Sequence, residues 1–336
     1  MKVKRLGPGL GVQEVGGEGG SGGGMEIWGY PWGLRGGGNL GILSVISPPM
    51  SYDLYFTSPR ISRAQFRSYF SERPLYKISE SQAWYENDDT GVYFSFEYND
   101  CPPGAEDDVD YLVRFNMNYY RPHYFGLEAE PEVSAFVQRF GFAIYDPQTA
   151  GMDTAPYTPE GLLRGWNHGN EVGYRAVLGR EDAPAVIHTW PTDDLERIWR
   201  WNFLKESRGE SGDKIIYISK LGFALFGGQA ASFCVWPDGL SALIPKADYL
   251  WIPREKLAPK PWFGKGIVDE CIIPFNDALG VLERYRVDGY ELEAFEVLCL
   301  DIPTDIKTFV QKLPPRKNDP PWIPMDQVLN RELVGK

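Results

Sequence analysis

From Tyr52 to Phe56 the side chains alternate as they do in a strand with one face buried. Ser62-Arg-Ala-Gln65 then forms a capping-box pattern, and Phe66, Tyr69 and Phe70 follow at i, i+3 and i+4. This predicts a short amphipathic helix over 62–72. Two strands are predicted next, Ser81–Glu86 and Gly91–Tyr98, joined by Asn87-Asp-Asp-Thr90 with the chemistry of a hairpin turn. A long aromatic strand is expected over Tyr111–Tyr120. Val133, Phe136, Val137 and Phe140 make a helical stripe, with Pro131 suited to its first turn and Gly141 where a C′ glycine belongs. Phe142–Tyr145 returns as a strand. The predicted unit, 50–150, is an α+β domain: a ferredoxin-like antiparallel sheet with two helices.

Beyond residue 150 the pattern changes, and a second, mixed α/β unit is expected over 151–313. Thr158-Pro-Glu160 is a good helix start. Glycine then recurs at 161, 165, 169 and 173, which in a helix places all four on one face. Each costs about 0.8–1 kcal/mol against alanine in a helix interior. Such a stripe needs a backbone packed very close or a bound group; a broken loop is the alternative. Thr192–Lys205 is a second helix, with Leu195, Ile198, Trp199 and Phe203 on its apolar face. Strands are expected at Lys214–Ser219, Gly222–Phe226, Ala231–Trp236, Asp248–Ile252 and Glu296–Leu300. Helices are expected in the second half of 272–285 and over 304–312. The proline-rich stretch 314–324 opens a C-terminal tail, 314–336, expected to be extended before a last helical turn or two over 325–333.

Residues 1–49 hold 16 of the 37 glycines and read as a disordered, low-complexity leader. Met50 reads as a second natural start, which makes the leader dispensable on this reading.

Composition then narrows the function classes. Net charge is −12, which repels phosphate backbones and argues against nucleic-acid binding. No stretch is apolar enough for a membrane span, so no membrane partner is expected. Aromatics make up 14% of the chain, enough for a large core or for an aromatic binding surface. The four cysteines, at 101, 234, 271 and 299, are widely spaced, so neither a zinc site nor a disulfide framework is signalled. A reducing cytoplasm fits that pattern.

No nucleotide loop and no nucleophile elbow is present, and no cofactor or metal is expected. The three histidines lack metal-ligand spacing. His123 and His188 read as structural. His168 lies in Trp166-Asn-His-Gly-Asn-Glu171, inside the glycine stripe. Trp166, Asn167, His168, Asn170 and Glu171 are therefore the candidate binding residues, offering both donors and acceptors beside a flexible backbone. His168 with Glu171 could perform general acid–base work, and a helix cap or hinge would account for the same residues. Asp107 and Asp108, in the acidic run Glu106-Asp-Asp-Val-Asp110, are candidate contacts for a basic partner. The alternative reading of that run is a solvated loop. No catalytic residue is assigned.

Met50-Ser-Tyr-Asp-Leu-Tyr-Phe56, together with Trp84-Tyr-Glu-Asn-Asp-Asp-Thr-Gly-Val-Tyr-Phe94, resembles uncharacterised bacterial proteins that open on a Tyr-Asp-Leu-Tyr-Phe strand. Some of these resemble the immunity side of contact-dependent toxin systems. Lys246–Pro259 is a second echo. The resemblance transfers no catalytic residue; the acidic balance, the aromatic surplus and the missing catalytic signature lead to the expectation of a cytoplasmic bacterial protein-interaction protein, an immunity-type inhibitor that covers a basic toxin surface. The alternative is a hydrolase-like or transferase-like enzyme with its pocket at 161–175. A third reading is a scaffold with a peptide-binding sheet edge.

Overall fold

The computed structural model describes residues 50–99, 111–209, 216–238, 240–254, 256–258, 269–298, 302–316 and 319–334. The leader, Cys101, Cys299 and the acidic run with Asp107 and Asp108 lie outside the described residues. The chain divides between Ile46 and Ser47 into two units, and the elements below all belong to the second, Ser47–Lys336.

The first layer is built from β1 (Ser51–Ser58), α1 (Arg63–Ser71), β2 (Tyr76–Ile78), β3 (Gln82–Asn87), β4 (Val92–Tyr98), β5 (Val113–Asn118), α2 (Tyr124–Phe140) and β6 (Ala143–Tyr145). The six strands form one sheet in the order β2-β3-β4-β5-β1-β6, and every neighbouring pair is antiparallel. Alternation decides which side is core. Tyr52, Leu54 and Phe56 of β1 point one way with Phe94, Phe96 and Phe115, and all are buried. Phe66 and Phe70 of α1 and Val133 and Phe136 of α2 close over them. Phe136 meets Phe56 at 5.2 Å and Phe96 at 5.1 Å between ring centroids.

Local chemistry sets the helix ends. Ser62 and Gln65 exchange both bonds of a capping box at the start of α1. Gly141 ends α2 at φ 69°, the left-handed conformation that glycine adopts without strain. α2 begins at Tyr124, well before the expected start, so Pro131 lies inside the helix. The added turns carry Glu128, which is 1% exposed. Its carboxylate accepts from Tyr85 Oη (2.8 Å), Asn87 Nδ2 (2.8 Å), Thr90 Oγ1 (3.1 Å) and Trp199 Nε1 (2.6 Å). These long-range bonds satisfy a charge that no local periodicity announces. Burial still raises its carboxyl above the ordinary range.

The rest of the unit comprises α3 (Pro159–Leu178), β7 (His188–Trp190), α4 (Thr192–Phe203), α5 (Lys205–Gly209), β8 (Tyr217–Ile218), β9 (Leu221–Phe226), β10 (Gln229–Val235), β11 (Ala242–Pro245), β12 (Tyr249–Arg254), β13 (Asp269–Pro274), α6 (Phe275–Leu282), β14 (Arg286–Val287), β15 (Ala294–Val297), α7 (Thr304–Lys312), β16 (Trp322–Ile323), β17 (Val328–Asn330) and α8 (Arg331–Val334). A five-stranded sheet runs β13-β12-β10-β9-β16, a four-stranded sheet β14-β15-β11-β8, and β17 pairs with β7. Parallel and antiparallel pairs are mixed here. The whole is a mixed α/β architecture, and one hydrophobic cluster runs from Tyr52 through Trp166 and Trp201 to Val328. In the tail, Trp322–Ile323 of the stretch expected to be extended pairs as a strand, with Trp322 opposite Ala224, whereas Val328–Asn330, within the stretch expected to be helical, is a strand with Val328 opposite His188. Among the described residues no helix is long and apolar enough to cross a membrane.

Candidate functional site

The glycine stripe lies on an intact helix. Thr158 caps α3, its Oγ1 accepting from Gly161 N at 3.0 Å, and Pro159 occupies the first turn. A Cβ on Gly161 would lie 2.5 Å from Met152, on Gly165 3.0 Å from Tyr52 Oη, on Gly169 2.0 Å from Tyr119 Oη, and on Gly173 2.9 Å from Tyr119 Cβ. The stripe is thus the seat for two tyrosines and a methionine. The neighbouring helix approaches as closely, since a Cβ on Gly126 would lie 2.2 Å from the Trp166 indole.

The tyrosines are fixed by the loop after β6. Tyr52 Oη donates to Asp146 Oδ2 at 3.0 Å, and Tyr119 Oη donates to Gln148 Oε1 at 2.8 Å. Asp146 also accepts from the backbone of Gln148 and Met152, both at 3.0 Å, which folds the loop around it. Burial raises its carboxyl despite those bonds.

Helical spacing separates the candidate residues. Trp166 and Asn170 are buried. Trp166 Nε1 donates to His123 O at 3.3 Å, and its ring stacks on Tyr119 at 5.5 Å. Asn170 Oδ1 accepts from the backbone of Tyr120 and Arg121, while its Nδ2 donates to Arg121 O at 2.8 Å. Asn167 and His168 are exposed on another side, and Glu171 pairs with Arg175 at 3.2 Å. His168 does border a cavity of about 190 Å³ with Met50, Tyr119, Gln148, Thr149 and Val172. Among the described residues its lining holds no carboxylate, so histidine and acid do not converge among them. Among the described residues no group of three or more His, Cys, Asp and Glu side chains could hold a metal ion. Cys234 and Cys271 are buried free thiols on the second sheet.

A different surface carries unsatisfied apolar area. Register puts Phe233 beside Tyr249, Trp251 beside Ile272, and Trp322 beside Ala224, all on the outer face of the five-stranded sheet. This face forms a small hydrophobic cluster separate from the main core. Trp322 is 59% exposed, and its ring meets Phe233 at 4.8 Å and Trp251 at 5.4 Å. Beside it opens a groove of about 500 Å³, floored by Phe226, Tyr249 and Ile272 and walled by Pro314, Pro315, Pro320 and Pro321. Arg316 lies over the Trp251 ring at 4.6 Å and pairs with Glu270 and Asp319, giving the face a charged rim. The signal for this face was present in the sequence: β12 is apolar at consecutive positions, which a strand covered on one face only does not require.

No protein-family model, no curated protein and no solved structure matches the chain.

Proposed function

We propose that this chain is a protein-interaction protein that docks its partner on the outer face of the five-stranded sheet. The observation that carries the reading is Trp322, 59% exposed above other rings and beside an open groove of about 500 Å³. Large rings add contact area at low rotamer cost and dominate binding energy when desolvated at an interface centre. A net charge of −12 selects a basic partner and speeds the encounter with it. An immunity-type inhibitor that covers a basic toxin in the bacterial cytoplasm has this chemistry. The ferredoxin-like reading of the first sheet belongs to the same proposal. β6-β1-β5-β4 follow that fold's strand order, with β2 and β3 extending one edge.

The alternative, an enzyme with its pocket at 161–175, is favoured by the cavity beside His168 and opposed by the lack of a carboxylate among the described residues of its lining. The discriminating experiment is affinity capture from the source cells with the wild-type chain and Trp322→Ala. A basic protein should bind the wild type, with affinity falling about thirtyfold in the variant, the scale of one interface hot spot. Its association should also weaken as salt rises, because screening shortens the reach of exposed charges. Equal capture by both chains would refute the docking face, and an acidic partner would refute the electrostatic argument.

A further inference from the structure

The C-terminal segment is held to the body of the protein by a polar node centred on His123 and Asn330. Asn330, on β17, is 1% exposed. Its Oδ1 accepts from the backbone N–H of His123 at 2.9 Å, which fixes the orientation of the amide. Nδ2 therefore faces His123 Nδ1 at 2.8 Å and donates to it, and it also donates to Thr192 Oγ1 at 2.9 Å. Thr192 in turn donates to Glu332 of α8 at 2.5 Å. An Nδ1 that accepts carries no proton, so the neutral ring bears its hydrogen on Nε2, which points at Glu196 Oε2 3.4 Å away.

We propose that His123 is a proton-operated latch: neutral, it accepts the Asn330 amide and holds β17 and α8 in place; protonated, it opposes N–H to N–H and loosens residues 328–334. Rotating the amide does not rescue the contact, because it would aim NH2 at the His123 backbone N–H. The groups around the ring act in both directions. Burial disfavours the imidazolium, whereas Glu196 and Asp193 of α4 and Glu332 of α8 favour it. The net direction is a ring held below the ordinary histidine range, consistent with a neutral Nδ1 acceptor. The sign follows: the unfolded histidine takes up its proton first as pH falls. The latch is complete above about pH 6.5 and fails as pH drops through the depressed folded value. Two carboxylates on the same segment also titrate: Asp326, beside Arg121 at 3.6 Å and raised by burial, and Glu332, lowered by its bond from Thr192. The test must separate both from His123.

The latch is independent of the docking reading, and its measurement needs no partner. Hydrogen-exchange protection factors, corrected for intrinsic rates, should fall about tenfold or more at Val328–Asn330 between about pH 7.5 and about pH 5. The amides of β1 should keep theirs, which shows that the fold is intact. His123→Gln keeps an acceptor but cannot take up a proton, so it should abolish the acid response. Asn330→Asp presents a carboxylate that an imidazolium can bond, so its segment should hold or tighten as pH falls. Unchanged protection in the wild type, an acid response that survives in His123→Gln through Asp326 or Glu332, or wild-type behaviour in Asn330→Asp would each overturn the latch.

Discussion

The glycine face of α3 and the outer face of the five-stranded sheet are opposites in how they were signalled and in what they hold. The first is conspicuous in the sequence, four glycines at a fixed interval around Trp166 and His168. In the fold it is filled: Tyr52, Tyr119 and Met152 occupy the space that side chains would take. The second is inconspicuous, a few rings scattered over β9, β10, β12 and β16. In the fold those rings gather on one face and leave Trp322 mostly in solvent. An unusual motif can therefore be a solution to a packing problem, while a plain alternation can assemble a binding surface. The contrast is between contact already made inside the molecule and contact still available to another.

Adding one methyl group breaks the filled face most directly. Gly169→Ala places a Cβ 2.0 Å from Tyr119 Oη, on a ring stacked against Trp166 and tied to Gln148. Overpacking of this severity costs about 3 kcal/mol, more than the alanine's helix propensity returns. A urea midpoint that rises in this variant would show that the stripe is not close-packed. Asn170→Ala tests the polar side of the same helix. It removes the acceptor for the half-buried Tyr120 and Arg121 amides, leaving both without it, while Arg121 O loses one donor and keeps the Tyr174 hydroxyl. The expected loss is about 2 kcal/mol. A loss under about 0.5 kcal/mol would mean that water replaces the side chain.

What could be read beforehand was what neighbours in sequence decide. The Ser62–Gln65 box, the Gly141 terminus and the Thr158 cap depend on residues within a turn of one another, and each stands where the spacing placed it. The helix over Thr304–Lys312 is legible for the same reason, its apolar residues falling at helical intervals. What escaped depends on distant partners. Tyr124–Glu130 is helical because Glu128 finds donors on β3, on the following turn and on α4. Val328–Asn330 is a strand because β7, far back in the chain, offers a parallel edge. The candidate site divides the same way. Helical periodicity already separates Asn167 and His168 from Trp166 and Asn170, but which side faces the core is decided by Tyr52 and Tyr119 from strands or loops elsewhere.

The smallest expected effect is the most discriminating. His168→Ala removes an exposed side chain at the rim of a small cavity, where among the described residues neither a carboxylate nor a metal cluster is placed to work with it. Stability should change by no more than about 0.5 kcal/mol, as for surface positions away from caps and networks. Partner affinity should stay at the wild-type value while Trp322→Ala lowers it, because the two residues belong to different surfaces. If the ordering reverses, with His168→Ala abolishing a measured turnover and Trp322→Ala silent, the cavity is the working site and the aromatic face is ordinary exposed surface. The comparison then inverts: the filled face of α3 would be the scaffold of a catalytic pocket, its glycines holding the Tyr119 wall against the helix that carries the histidine.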